Sequence, residues 1–242
     1  IKTPLWVAHS SDDTNVRIDS DDYYVTELEK LVISGYNIFI SGGTSSGKTT
    51  FLNVLSNFIP KDQRVITIED SAELSLIGVS NLVRLEMRQA NLEGTGAITI
   101  RDLIHSSLRM RPDRLIIGEV RGPEAFDMLQ AMNTGHDGCM STGHGNSASD
   151  MLDRLATMSL TAMNIPLAAI KSQIASAIDI VIHLSRISDK GRLVYEISEV
   201  VSYDGNNIIL NPLYTFNQSN GLCATGNTLI HCDKLTQHGF TL

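Results

Sequence analysis

An α/β fold, with a mainly parallel sheet flanked by helices, is what this 242-residue sequence predicts, on three observations. A glycine-rich loop motif separates an apolar run from a helical pattern. Short, continuously apolar runs recur and end in glycine or acidic residues, as parallel strands buried on both faces do. Helical periodicities separate these runs until three successive β-rich runs break the alternation and add a C-terminal β-rich extension.

Residues 1–19 show no clear period and read as a linker or the end of a preceding domain. Over residues 21–34, Val25, Leu28, Leu31 and Val32 recur at helical spacing, and Gly35 follows as a stop. Asn37-Ile38-Phe39-Ile40-Ser41 predicts a strand, and Thr50-Phe51-Leu52-Asn53-Val54-Leu55 the body of a helix. Arg64-Val65-Ile66-Thr67-Ile68 predicts a second strand ending at Glu69-Asp70, and Leu115-Ile116-Ile117 a third ending at Gly118-Glu119. Pro123 opens a helix reaching Met132. Ser147 and Asp150 form a capping-box-like start for a helix from Ala148 to about Met158, and another helix follows Pro166 through Ala177. Strands are then expected over 180–187, 192–201 and 208–214, joined by Asp189-Lys190-Gly191 and Asp204-Gly205-Asn206-Asn207 turns. The polar tail, 217–242, is expected to pack loosely. Met128, Met132, Met151, Met158 and Met163 read as core or subunit-interface packing.

Gly42-Gly43-Thr44-Ser45-Ser46-Gly47-Lys48-Thr49 is a complete phosphate-binding P-loop, GxxxxGK[ST], in its strand-to-helix context. Such a loop aims backbone N–H groups at one point where the helix dipole also favours negative charge. Together with Thr50 these residues are the expected binding set for a nucleoside triphosphate. Lys48 is placed for the β- and γ-phosphates, and the Thr49 hydroxyl for Mg²⁺. Ser45 stands where many P-loops carry glycine, so a positive φ there would need compensation from its surroundings. Gly118 stands where many P-loop ATPases carry a Mg²⁺-binding aspartate. Glu69, Asp70 and Glu119 are therefore expected to share the metal site with Thr49, with Glu119 orienting or deprotonating the attacking water.

The net charge of −8 opposes generic attraction to nucleic acid or anionic lipid. The sequence has no apolar run long enough to span a bilayer and opens without a secretory signal. Cys139, Cys223 and Cys232 show neither a CxxC pair nor zinc-finger spacing, which fits a reducing compartment.

Further motifs carry a resemblance. The P-loop, the acidic strand end VITIED, the segment RPDRLIIGEVRG and the histidine box TGHDG…STGHGN occur in the order found in type II and type IV secretion ATPases. Over roughly residues 20–216 the chain most resembles Tad/Flp pilus assembly ATPases of the CpaF type, through VRLE, EGTGAITIRDLIHSSLRMRPDR, EVRGPEAFDMLQAMNTGHDG and IKSQIASAIDIVIHLSRI. The resemblance implies a RecA-like P-loop fold and catalytic roles for Glu69, Glu119, His136 and His144. It also makes Arg84, Arg88 and Arg101 candidate nucleotide contacts. Relatives read HAN where this chain has His144-Gly145-Asn146, a change expected to loosen that loop. The resemblance further implies a cytoplasmic homo-hexamer that includes an N-terminal domain ahead of Ile1 and acts at the membrane through an inner-membrane platform protein. ATP hydrolysis driving a pilus or secretion machine is thus the leading expectation, with no direct nucleic-acid partner. A RecA-like nucleic-acid translocase is disfavoured by charge, few aromatics and Gly118. A non-hydrolysing nucleotide-dependent scaffold is disfavoured by the full set of acidic and histidine positions.

Overall fold

The computed structural model describes residues 23–187 and 191–240. The expected linker over 1–19 and the Asp189-Lys190 part of one turn lie outside the described residues. The elements run α1 (Tyr23–Ile33), β1 (Ile38–Gly42), α2 (Lys48–Ser56), β2 (Arg64–Glu69), β3 (Asn81–Glu86), α3 (Ile100–Leu108), β4 (Arg114–Ile117) and α4 (Glu124–Asn133). There follow β5 (Met140–His144), α5 (Ala148–Ala162), α6 (Leu167–Ala177), β6 (Ile180–Ile187), β7 (Gly191–Tyr203), β8 (Ile208–Asn217), β9 (Gly221–Ala224) and α7 (Asp233–Gln237).

The strands form one nine-stranded sheet in the order β3-β2-β4-β5-β1-β6-β7-β8-β9. From β3 to β6 neighbours are parallel, and from β6 to β9 they are antiparallel. The expected β-rich extension therefore continues the central sheet. Each central strand feeds two cores, which is why its sequence is apolar throughout. Ile38 and Ile40 face a core shared with α1 and α2, whereas Phe39, Ile66 and Ile117 face one built with α3 to α6. Met128, Met132 and Met151 lie in the latter core, while Met163 is exposed.

Local chemistry sets the helix ends. Gly35, at φ 79, closes α1 with two bonds, Tyr36 N–H to Leu31 O and Gly35 N–H to Val32 O, the pattern of a Schellman cap. In α5 the Ser147 hydroxyl accepts from the Asp150 N–H as expected, but the Asp150 carboxylate accepts from Asn146 N–H, so the box is not reciprocal.

The tail does not pack loosely. Leu229 and Leu235 are buried in the α1/α2 core, and β9 pairs with β8. Glu199, 1% exposed, accepts from the N–H groups of Ile230 and His231 and from Asn211 Nδ2. Lys234 bridges Asp137 and Asp179. Few apolar residues suffice because a buried carboxylate satisfies the tail's backbone. Glu199→Ala leaves those amides unpaired. Chemical denaturation is expected to show a loss of about 2–4 kcal/mol, and limited proteolysis to cut first within 217–240.

Candidate nucleotide site

At the carboxyl edge of the sheet, residues from four adjacent strands converge. The P-loop leaves β1, and its last glycine, Gly47 at φ 94, turns the backbone into α2. Gly42 also needs to be glycine, because a Cβ there would fall 2.7 Å from Leu184 O. Ser45 adopts φ 58, the positive value that its substitution for glycine makes costly.

Lys48 is buried, and its ammonium donates to Gly42 O at 3.2 Å and Gly43 O at 3.0 Å. It also lies 3.3 Å from His144 Nδ1. An ammonium can only donate, so Nδ1 must accept, which places the imidazole proton on Nε2. Nε2 lies 2.9 Å from Glu119 Oε1, a close electrostatic contact outside hydrogen-bond geometry, which leaves that buried oxygen without a hydrogen-bond partner among the described residues. Burial and the adjacent Lys48 hold the His144 pKa below its ordinary value, against the pull of Glu119. Burial likewise lowers that of Lys48, with Glu119 opposing. The other Glu119 oxygen accepts from Arg121 Nη2 at 2.5 Å, and Arg121 Nη1 reaches Asp70 Oδ2 at 3.2 Å.

The segment carrying Glu119 is pinned between its neighbours. Gly118 N–H donates to Ile68 O, Gly118 O accepts from the Thr142 hydroxyl, and Val120 N–H donates to Thr142 O. A Cβ on Gly118 would lie 3.2 Å from Glu69 Cγ, so the missing aspartate corresponds to space taken by Glu69. Glu69 is buried, and its Oε1 accepts from the N–H groups of Glu73 and Leu74, which orders the turn after β2. The oxygen donors available here, Thr49 and the carboxylates, suit a hard cation such as Mg²⁺, which keeps several waters and needs few protein ligands.

The expected loosening at Gly145 is not what the structure has. A Cβ there would meet Ser41 Oγ at 2.8 Å and Met151 Cβ at 2.9 Å, so glycine permits close packing of the loop. Beside the P-loop, a cleft of ≈ 380 Å³ is lined by Gly43, Thr44, His144, Gly145, Asn146 and Arg154.

Four expected site residues are not brought here. His136 precedes β5, whereas His144 ends it, so the two histidines lie at opposite edges of the sheet. The glycine of its box, Gly138, makes room for buried Arg114, whose Nη1 would lie 1.6 Å from a Cβ at that position. Arg84 is exposed on the edge strand β3, four strands and about 19 Å from β1. Arg88 donates from Nε to Gly96 O within its own loop. Arg101 forms a two-pronged bond to buried Asp127 on α4. Conversely, Arg121 and Arg154 are site residues that sequence reading did not single out. Arg121 is only two positions from Glu119 and was legible in principle; Arg154 comes near through the packing of α5.

Fold and site together define a P-loop nucleotide-binding domain. The chain belongs to the type II/IV secretion system protein family, which matches residues 17–229. It is 40% identical over 167 residues to the type IV secretion system protein PtlH of Bordetella pertussis, covering 68% of this chain and 49% of that protein. It is 37% identical over 175 residues to the putative conjugal transfer protein Rv3659c of Mycobacterium tuberculosis, covering 72% and 49%. Among solved structures, the VirB11 ATPase of the Brucella suis type IV secretion system, in complex with sulphate, superposes with a TM-score of 0.67 at 34% identity, over 73% of this chain and 52% of that one. The pilus retraction motor PilT with bound ADP, at 23% identity and a TM-score of 0.55, shares the fold over 88% of this chain and 55% of that one. The chain thus spans about half the length of the curated relatives it matches. No helix of the described residues is long and apolar enough to cross a membrane.

The depressed His144 pKa has a signed consequence. Between its folded value and the ordinary value near 6.5, the unfolded chain binds the proton and the folded chain does not. Stability therefore falls as pH drops through that window, and His183, also lowered by burial, adds in the same direction. Thermal melts from about pH 7.5 to about pH 5 are expected to show this loss, with a shallower pH slope in His144→Asn.

Proposed function

We propose that this chain is the ATP-hydrolysing domain of a secretion or pilus-assembly motor of the CpaF-like, Tad/Flp type. Its family membership, the motif phrases and the geometry around Lys48 support the reading. The observation that carries it is the contact series Lys48–His144–Glu119, which joins the phosphate-binding lysine to a carboxylate suited to act on water.

In this reading, ATP phosphates enter the loop formed by Gly42 to Thr49, and Lys48 exchanges its carbonyl contacts for phosphate oxygens. His144 Nδ1 then loses a donor, so occupancy of the loop is felt at the ring that holds Glu119. Glu119 orients the attacking water and takes its proton, and Arg121 positions Glu119 from the other side. Thr49 would ligate Mg²⁺ directly, with Glu69, Asp70 and Glu119 acting on it through water. The ion would neutralise charge on the transferred phosphoryl group. Arg84, exposed and four strands from β1, and Arg88, also exposed, suit contact with a neighbouring subunit in a homo-hexamer. A membrane platform protein, gripped from the cytoplasmic side, would receive the movement.

Phosphate release and oligomeric state measured together on the full-length protein test this proposal. Hexameric wild type is expected to turn over ATP, and Glu119→Gln to lose at least about 100-fold in rate while still binding nucleotide. Equal rates would remove Glu119 from the role, and absence of turnover in both would favour a nucleotide-dependent scaffold.

A further inference from the structure

We infer that Arg192 is a positioning residue of the nucleotide site, holding the P-loop in its anion-binding shape by anchoring the carbonyl of Ser45. The inference rests on the nucleotide-binding reading above. Ser45 occupies φ 58, where a side chain costs energy that glycine avoids. Support comes from the far side of the sequence, because Arg192 Nε donates to Ser45 O at 2.6 Å. In a planar trans peptide, a carbonyl anchored one way turns the following N–H the other way. The Ser46 N–H accordingly donates back across the turn to Gly43 O at 3.3 Å, which closes the loop.

Arg192 directly faces Arg186 across the antiparallel β6–β7 pair, and like charges so placed weaken a strand pair. Strand β6 is also the neighbour of β1, with Leu184 opposite Gly42. Backbone pairing therefore sets the distance between the hairpin and the loop it braces.

Four full-length proteins test the inference: wild type, Arg192→Ala, Ser45→Gly and the double variant. Each is titrated with a fluorescent ADP analogue and followed by amide hydrogen exchange over residues 43–48. Arg192→Ala is expected to bind about tenfold more weakly, with faster P-loop exchange and unchanged kcat at saturation. Ser45→Gly should restore both affinity and protection in that background, because glycine holds the conformation unaided. Wild-type affinity in Arg192→Ala overturns the inference. So does a deficit that Ser45→Gly leaves in place, which would make Arg192 a direct nucleotide contact. If wild type takes up no nucleotide, the functional proposal fails and exchange alone decides. Faster exchange in Arg192→Ala that Ser45→Gly reverses upholds the brace, and unchanged exchange overturns it.

Discussion

The polar series Asp70, Arg121, Glu119, His144, Lys48 crosses β2, β4, β5 and β1 in the order in which those strands lie side by side. Neighbouring parallel strands stand about 4.8 Å apart, so side chains leaving successive carboxyl ends fall within hydrogen-bonding reach of one another. The sheet order is therefore a condition of the site, and the site's geometry follows from backbone pairing rather than from any single loop. The Lys48 contact sets the tautomer of His144, and the Gly42 and Gly43 carbonyls hold Lys48 at the P-loop.

Glycines make this closeness possible. Gly118 yields to Glu69, and Gly143 and Gly145 let β5 and its loop approach Phe39, Met151 and Ser41. Burial is what gives the series its electrostatic character, since it lowers both the His144 and Lys48 pKa values. A neutral imidazole between an ammonium and a carboxylate avoids setting two cations 3.3 Å apart.

The antiparallel half of the sheet has a different task. It carries few site groups, yet it extends the central sheet without a break and brings β7 back beside the P-loop. The tail then closes over α1 through Glu199 and Lys234, and Tyr36 donates its hydroxyl to His231 O. Family membership covers most of the chain, while the chain spans about half of its curated relatives.

The local sequence was enough to determine the P-loop, the helix stops and the strands whose two faces are both buried, because those signals are short-range: glycine where φ is positive, apolar side chains where both faces meet a core. It also placed Glu119 and His144 in one site through motif order. It did not disclose β5, whose Met140-Ser141-Thr142-Gly143-His144 is a strand because β4 and β1 flank it, or β3, an edge strand that alternates charge with partial burial. The fate of His136 and Arg101 was equally out of reach. One lies at the far edge because strand direction decides which end of β5 meets the P-loop, and the other is captured by Asp127 across two helices. The arginine that answers the strain at Ser45 lies 147 residues away. Only the pairing of β6 with β1 and β7, a long-range arrangement of backbone hydrogen bonds, brings the two together.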